Sequence, residues 1–272
     1  VTSPGLLTTV QDLGRPGYAH LGISASGAAD ALSLRAGNLL VGNAEGAAAL
    51  EMTLAGGTFE FESATVVALT GGDFEANIPM WTTVEVQPGG QVRCGHARSG
   101  ARCYLCVRGG VDVPLAMGSA STHPLTGIGG FEGRALKRGD VLRSSNGSRP
   151  AALTSVYAWQ AARPAIRKCF RVTSPGDAST LCNALWQVKE DSDRMGLRLR
   201  GPALDRCTGH MLTEGVPLGA VQVPPDGQPI ILFVEHQTTG GYPKIANVIS
   251  ADFHSLGQLR PRDEVRFEQV SI

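Results

Sequence analysis

Short runs of alternating or β-branched residues recur along the chain, at Thr58–Phe61, Thr65–Leu69, Val84–Val86, Ile230–Val234 and Glu264–Phe267. Side chains on a strand point to opposite faces in turn, so period-two patterning over so few residues predicts β-strands. The 35 glycines and 16 prolines are scattered between these runs and supply turn chemistry throughout. A mostly-β protein with many short strands follows. Two segments carry a helical pattern instead. Ala28–Leu40 places Leu32, Leu34, Leu39 and Leu40 at helical spacing and closes on Gly42-Asn43, and Ala178–Val188 follows Asp177 as an N-cap.

The patterning also repeats. Thr2-Ser3-Pro4-Gly5 returns as Thr173-Ser174-Pro175-Gly176, a shift of 171, and Thr70-Gly71-Gly72 as Thr239-Gly240-Gly241, a shift of 169. Arg15-Pro16-Gly17 resembles Arg194-Met195-Gly196 at a shift of 179, and Gln87–Arg93 resembles Arg260–Arg266 at a shift of 173. Each match is weak alone, but four in one order point to two related β units. The expected division is a first unit over 1–145, a linker over 146–170 and a second unit over 171–272. Ser, Asn, Gly, Ala and Pro collect within the linker.

Composition narrows the function. With 24 basic against 24 acidic residues, no net field draws nucleic acid or an anionic membrane. The longest apolar runs fall far short of the roughly 20 residues a membrane span needs. The first residues, Val1-Thr2-Ser3-Pro4-Gly5, show no signal-peptide pattern, so the expected compartment is the cytoplasm.

Cys103 and Cys106 have metal-like spacing, but they sit in a strand pattern that turns them to opposite faces. No second Cys-x-x-Cys or paired His completes a site, so buried structural thiols are the preferred reading. The six histidines show no paired metal spacing, and no Gly-x-Ser-x-Gly elbow marks a serine hydrolase. There is no phosphate loop of the Gly-Lys-Ser/Thr kind and no Met-Lys hairpin for biotin attachment. Any ATP or biotin is thus bound in another way or carried by another chain.

The segment Gln237-Thr238-Thr239-Gly240-Gly241-Tyr242-Pro243-Lys244 concentrates the candidate chemistry. Adjacent glycines let backbone N–H groups approach an anion, and Lys244 adds charge. The two threonines and Gln237 supply hydrogen bonds, and Tyr242 has a ring to cover a planar group. The alternative is a tight hairpin whose glycines only make the turn. Arg194 and Arg15, at matching places in the two repeats, are candidates for gripping a carboxylate or phosphate. Asp193 and Asp12 beside them are further candidates for binding substrate, and the structural alternative pairs each arginine with its neighbouring aspartate. Gln222, before a run of prolines, is expected in a cleft wall.

Several stretches carry a family resemblance: Leu6–Tyr18, Ser26–Asp30, Asn38–Asn43, Ala49–Glu51, Leu69–Phe74, Arg108–Pro114 and Glu132–Leu136 in the first half. Ser192–Gly196, Gly219–Pro229 and Gln237–Ala246 continue it in the second half. Together they resemble the biotin-dependent carboxyltransferase-like family, which includes the C subunit of 5-oxoprolinase and the second subunit of allophanate hydrolase. The resemblance implies two cyclophilin-like β-barrels with a few short helices. It implies a partner, the first subunit of the same family (the B subunit of 5-oxoprolinase or the first subunit of allophanate hydrolase). The A subunit of 5-oxoprolinase would be a third protein. The implied activity is ATP-dependent hydrolysis of a small cyclic amide or ureido substrate, with ATP held by a partner. Catalytic duty would fall to Lys244 and Arg194. Alternatives are carboxyl transfer from carboxybiotin to a urea-like substrate, without biotin attached to this chain, and a non-catalytic regulator that binds the first-subunit homologue. Two departures stand out: Gly118-Ser119-Ala120-Ser121-Thr122-His123 replaces the family's Gly-Ser-Arg-Ser-Thr-Asp, and His236 precedes the Gln-Thr-Thr-Gly-Gly motif.

Overall fold

A computed structural model describes residues 1–145, 160–176, 178–204 and 212–271. Most of the expected linker, the proposed cap Asp177, Cys207 and His210 lie outside the described residues. The chain divides into two compact units, Val1–Arg15 with Ser26–Pro164 and Pro16–Ala25 with Ala165–Ile272.

The first unit contains β1 (Leu7–Gln11), helix α1 (Ala31–Leu40), β2 (Ala49–Thr53), β3 (Thr58–Glu60), β4 (Thr65–Asp73), β5 (Thr83–Val86), β6 (Gln91–Arg93) and β7 (Ser99–Val107), then the short strands β8 (Val111–Asp112) and β9 (Arg143–Ser144). β1-β2-β7-β4-β5 form an antiparallel sheet, while β3 and β6 form a separate ribbon. Alternation along β7 sends Cys103 and Leu105 into a core shared with Phe59 and Val92 of the ribbon. Tyr104 and Cys106 enter a second core with Leu34 and Leu40 of α1. The sheet is thus covered on both faces, which explains why β4 and β7 read as nearly continuous buried runs. It also separates Cys103 from Cys106, as strand geometry requires.

Helix α1 begins three residues later than its sequence pattern suggests. Asp30 is the N-cap: its carboxylate accepts from Ser33 N at 3.0 Å and from Ser33 Oγ at 2.6 Å. Ala28 and Ala29 precede it, and Ala29 N donates to Glu51 Oε2 at 2.8 Å. The Tyr104 hydroxyl donates to the same oxygen at 2.7 Å and accepts from Asp30 N at 2.8 Å. Burial, with the Glu51 carboxylate beside it, pushes the Tyr104 pKa well up, so the phenol keeps its proton and remains a donor. Leu34 is fully buried, worth about 1.5–3 kcal/mol relative to exposure, whereas Leu32 and Leu39 remain at the surface. A β-carbon at Gly37 would lie 2.6 Å from Cys106 Sγ, so glycine there lets α1 approach the sheet.

The second unit contains β10 (Cys169–Thr173), α2 (Ser179–Cys182), β11 (Trp186–Val188), β12 (Gly196–Arg200), β13 (Glu214–Gly215), β14 (Ala220–Gln222), β15 (Ile230–Leu232), β16 (Thr239–Gly240), β17 (Lys244–Val248), α3 (Phe253–Leu256) and β18 (Glu264–Gln269). Seven of these strands close a barrel in the order β10-β17-β14-β15-β12-β11-β18. Buried residues alternate along them, with Leu197 and Leu199, Phe170 and Val172, and Val265 and Phe267 in the set. β13 and β16 form a two-residue ribbon outside the barrel.

The helical expectation for Ala178–Val188 is corrected here. α2 ends at Cys182 and Trp186–Val188 is a strand, because Trp186 and Val188 are buried alternately and the segment pairs with both β12 and β18. Tertiary pairing overrides a local pattern that also suited a helix. Among the described residues no helix is long and apolar enough to cross a membrane.

The repeat is visible in local structure at one place above all. Gln87-Pro88-Gly89-Gly90 and Arg260-Pro261-Arg262-Asp263 are both hydrogen-bonded turns, with Gly90 N to Gln87 O at 2.8 Å and Asp263 N to Arg260 O at 3.1 Å. Each has proline second and a left-handed third residue, Gly89 at φ 78° and Arg262 at φ 71°. Both are type II turns, and each leads directly into a strand, β6 or β18.

Candidate functional site

In the second unit, β14, β15 and β12 lie side by side, and Ile230 is the register partner of both Gln222 and Arg198. Two strand spacings place Gln222 and Arg198 about 10 Å apart on one face of the sheet. That face carries a cavity of about 280 Å³ lined by Gln222, Gln237, Tyr242, Lys189, Arg198 and Asp226 among others. Ile230 and Leu232 form its apolar floor.

Gln222 is 1% exposed and owes its position to a bulge. Along the β14–β17 pairing, Val221 faces Ala246 but Gln222 faces Lys244, so Ile245 is the extra residue. Gln222 Nε2 donates to Tyr242 O at 3.4 Å, and Gln222 Oε1 accepts from Gln237 Nε2 at 3.2 Å. The one side chain therefore ties both ends of the 237–242 loop. A β-carbon on Gly240 would lie 2.7 Å from Gln222 Nε2, so glycine is needed for this close approach. Gly240 does not take a left-handed φ, unlike the residue pairs that build anion-binding nests.

At the other end of the cavity two cations share one carboxylate. Arg198 Nε lies 3.8 Å from Asp191 Oδ2, and Lys189 Nζ lies 3.3 Å from the same oxygen. Asp226 Oδ1 accepts from Gln228 N at 3.0 Å, a turn cap within the lining.

The remaining expected site residues are distributed elsewhere. Lys244 Nζ pairs with Glu214 Oε1 at 3.0 Å and donates to Gly215 O at 3.1 Å. It lines a second, more open cavity of about 420 Å³ with Ser174, Pro217 and Asn247. Lys244 and the Gln237–Tyr242 loop thus serve different cavities rather than one anion cradle. Thr239 is exposed in β16, Gly241 is exposed, and Thr238 contributes its carbonyl to Val216 N at 3.1 Å.

Arg194 is 6% exposed and its Nε meets Glu235 Oε1 at 2.5 Å. Its partner is Glu235, not Asp193. Asp193 instead caps a turn, with Oδ1 accepting from Met195 N at 2.8 Å and Gly196 N at 3.0 Å.

Asp12 and Arg15 work in the first unit. Asp12 accepts from Gly14 N at 2.7 Å, Ser119 Oγ at 2.7 Å, Ser121 Oγ at 2.5 Å and Ala120 N at 2.6 Å. Arg15 donates to the carbonyls of Ala116 and Ser121. Both residues hold the 116–122 segment. Ala120, at the position where the resembling family has arginine, is 3% exposed and belongs to the first unit's core. His123 is buried and its Nδ1 contacts Thr126 Oγ1 at 2.8 Å.

Burial lowers the pKa of His236, partly offset by its ring's contact with Gln237 O at 2.6 Å. Among the described residues no cluster of His, Cys, Asp or Glu is placed to hold a metal ion.

Sequence reasoning missed Lys189, Arg198, Asp226, Glu214 and Glu235. The alternation in Gly196-Leu197-Arg198-Leu199-Arg200 was the available signal for an outward-facing Arg198. No local pattern announces Glu235, which meets Arg194 across 41 residues.

Residues 21–269 match the family described as carboxyltransferase domain, subdomain A and B. The chain is 41% identical to the C subunit of 5-oxoprolinase from Haemophilus influenzae, over 97% of this chain and 88% of that one. The fold superposes on the crystal structure of TTHA0988 with a TM-score of 0.87 and 35% identity, covering 98% of this chain and 55% of that chain. It superposes on the K. lactis urea amidolyase with a TM-score of 0.88 and 33% identity, covering all of this chain and 18% of that one. The chain thus belongs to the carboxyltransferase domain, subdomain A and B, family.

Proposed function

We propose that this chain is one subunit of a heteromeric enzyme that opens a small cyclic amide or ureido substrate with consumption of ATP. The observation that carries the reading is the cavity on the outer face of the barrel, with neutral amides at Gln222 and Gln237 and a cationic pair at Lys189 and Arg198. A lactam bearing a carboxylate matches both ends. The Gln237 amide, held by Gln222, meets its N–H and C=O, and the cations meet the carboxylate through charge-assisted hydrogen bonds. At about 280 Å³ the cavity suits a small substrate. Tyr242 also lines the cavity.

The described lining contains no serine or cysteine, and its carboxylate, Asp226, is already bonded to Gln228 N. Activation of water is assigned to a partner, which explains why such a chain would work only in a complex. Nor does the lining fit a triphosphate, since its two cations share Asp191 and no helix N-terminus faces the cavity among the described residues. ATP is left to a partner subunit. The partners we assign are a first-subunit homologue and an A-type subunit of 5-oxoprolinase, assembled in the cytoplasm. The similarity to the C subunit of 5-oxoprolinase supports this choice.

A second reading, carboxyl transfer from carboxybiotin to a urea-like substrate, draws on the whole-chain similarity to the K. lactis urea amidolyase. Co-expression with both partners separates the two. The first reading expects ATP-dependent glutamate release from 5-oxoproline, with kcat/KM lowered about tenfold or more by Arg198→Ala. A stable wild-type complex without turnover overturns it, and consumption of carboxybiotin by that complex establishes the second.

A further inference from the structure

We infer that Gln222 is a positioning residue that fixes which atoms Gln237 offers to a ligand, making the cavity selective for amides whose N–H and C=O are cis. This inference rests on the proposed substrate class and names the residues that would enforce it.

A series of obligatory donors and acceptors fixes both amides. The Tyr242 carbonyl can only accept, so the Gln222 atom facing it at 3.4 Å must be the nitrogen. Gln222 Oε1 then faces Gln237, so the Gln237 atom that meets it at 3.2 Å must also be nitrogen. One backbone carbonyl thereby sets the orientation of two side-chain amides in series. Gln237 is left with Oε1 as an acceptor and one N–H as a donor. A lactam, with one N–H and one C=O on the same edge, is the complement of that pair. A carboxylate offers no donor, and an N-alkylated lactam has lost its own.

Gln222 is suited to this task because it has no freedom to turn over. It is almost fully buried, lies in a bulged register and is capped by the Gly240 backbone. Gln237 is exposed at the cavity and would rotate freely without that anchor. Gln222 acts through Gln237 and the loop, not by an assigned contact with a reacting atom.

The test uses the full chain with 5-oxoproline and N-methyl-5-oxoproline as probes, by calorimetric titration or ligand-observed NMR. Wild type should bind the N–H lactam about tenfold more tightly than the N-methyl compound, the effect of one lost hydrogen-bond partner. Gln222→Met keeps the volume but breaks the series, and should bring that ratio close to one. Gln222→Glu gives a readout that a merely structural role would not move. Its ionised carboxylate cannot donate to the Tyr242 carbonyl, whereas its protonated form can, so lactam binding should recover as pH falls through the carboxyl's pKa, which burial raises above the ordinary value of about 4.3. If Gln222→Met fails to fold, Gln237→Met removes the exposed amide alone and should likewise abolish the discrimination. Equal binding of the two probes by wild type, no lactam binding, or an unchanged ratio in Gln237→Met would each overturn the inference. Discrimination by the chain in the absence of turnover by the complex would leave this inference standing while the proposed activity falls. Turnover without discrimination would do the reverse.

Discussion

Gly240 rests directly on the amide of Gln222, so close that a β-carbon there would sit 2.7 Å from Gln222 Nε2. The atom in the way is the far end of a side chain, so the fold can yield by moving it. Gly240→Ala should therefore cost little stability, on the order of 1 kcal/mol or less, because Gly240 does not need a left-handed backbone. The loss should appear in binding instead, since the displaced amide releases Gln237 and Tyr242. Urea unfolding and lactam titration on the same preparation check the pair of outcomes. A large stability loss with intact binding would refute this account of the loop.

Arg194 and Glu235 make the opposite case, a pair whose value lies in the fold. Both side chains are more than nine-tenths buried and meet at 2.5 Å. Removing one partner leaves a charge in a low-dielectric site, so Arg194→Met should destabilise the second unit by about 3–5 kcal/mol. Arg194→Met with Glu235→Met removes both charges of this pair and should lose less than the sum of the two single variants. Denaturant titrations of the two single variants and the double variant measure the coupling directly. Near-additive losses would show that the two side chains do not depend on each other.

Contacts such as these mark where sequence patterns stop being informative. Strands such as β3, β5 and β18 were legible because each needs only a local period-two pattern bounded by turns. The site was legible as a stretch of chain, Gln237–Lys244, but not as a geometry. Nothing local says that the bulge at Ile245 turns Gln222 toward the loop, or that Glu214 claims Lys244. Arg194 illustrates the same limit, since its partner Glu235 is 41 residues away and Asp193 was the nearer candidate. The Trp186–Val188 strand was missed because a short apolar run suits a helix end as well as a barrel strand.

His236 supplies a pH prediction. Burial lowers its folded-state pKa below the ordinary value, so the unfolded chain binds the proton more readily than the native one. At pH 8 both states are neutral at this residue and it contributes no pH dependence. As pH falls through the unfolded value of about 6.5, the unfolded state is favoured, and stability declines until the folded group also titrates. The thermal midpoint should fall between about pH 7 and about pH 5.5, and His236→Gln should flatten this decline. An identical slope in the variant would assign the decline to other groups.

The twin turns at Gln87–Gly90 and Arg260–Asp263 provide an internal control for backbone strain. Both need a left-handed third residue, which Gly89 accepts freely and Arg262 does not. For a residue with a β-carbon that conformation costs about 1–2 kcal/mol. The Arg262 side chain gives little in return. It pairs with Glu190 Oε1 at 2.6 Å, but the two side chains are 78% and 66% exposed, and such surface pairs contribute about 0–1 kcal/mol. Glycine also adds freedom to the unfolded chain, which offsets part of the relief by about 0.4–1 kcal/mol. The balance favours Arg262→Gly by a few tenths of a kcal/mol, and Arg262→Asn by a similar margin because asparagine tolerates this region with less unfolded-state freedom. The readout is the thermal midpoint of the second unit at low and high salt, since added salt removes the Glu190 contribution. Both variants should be at least as stable as wild type at low salt, with a larger advantage at high salt. A clear drop at both salt concentrations would mean that Arg262 makes a contribution beyond the Glu190 pair that outweighs its backbone strain.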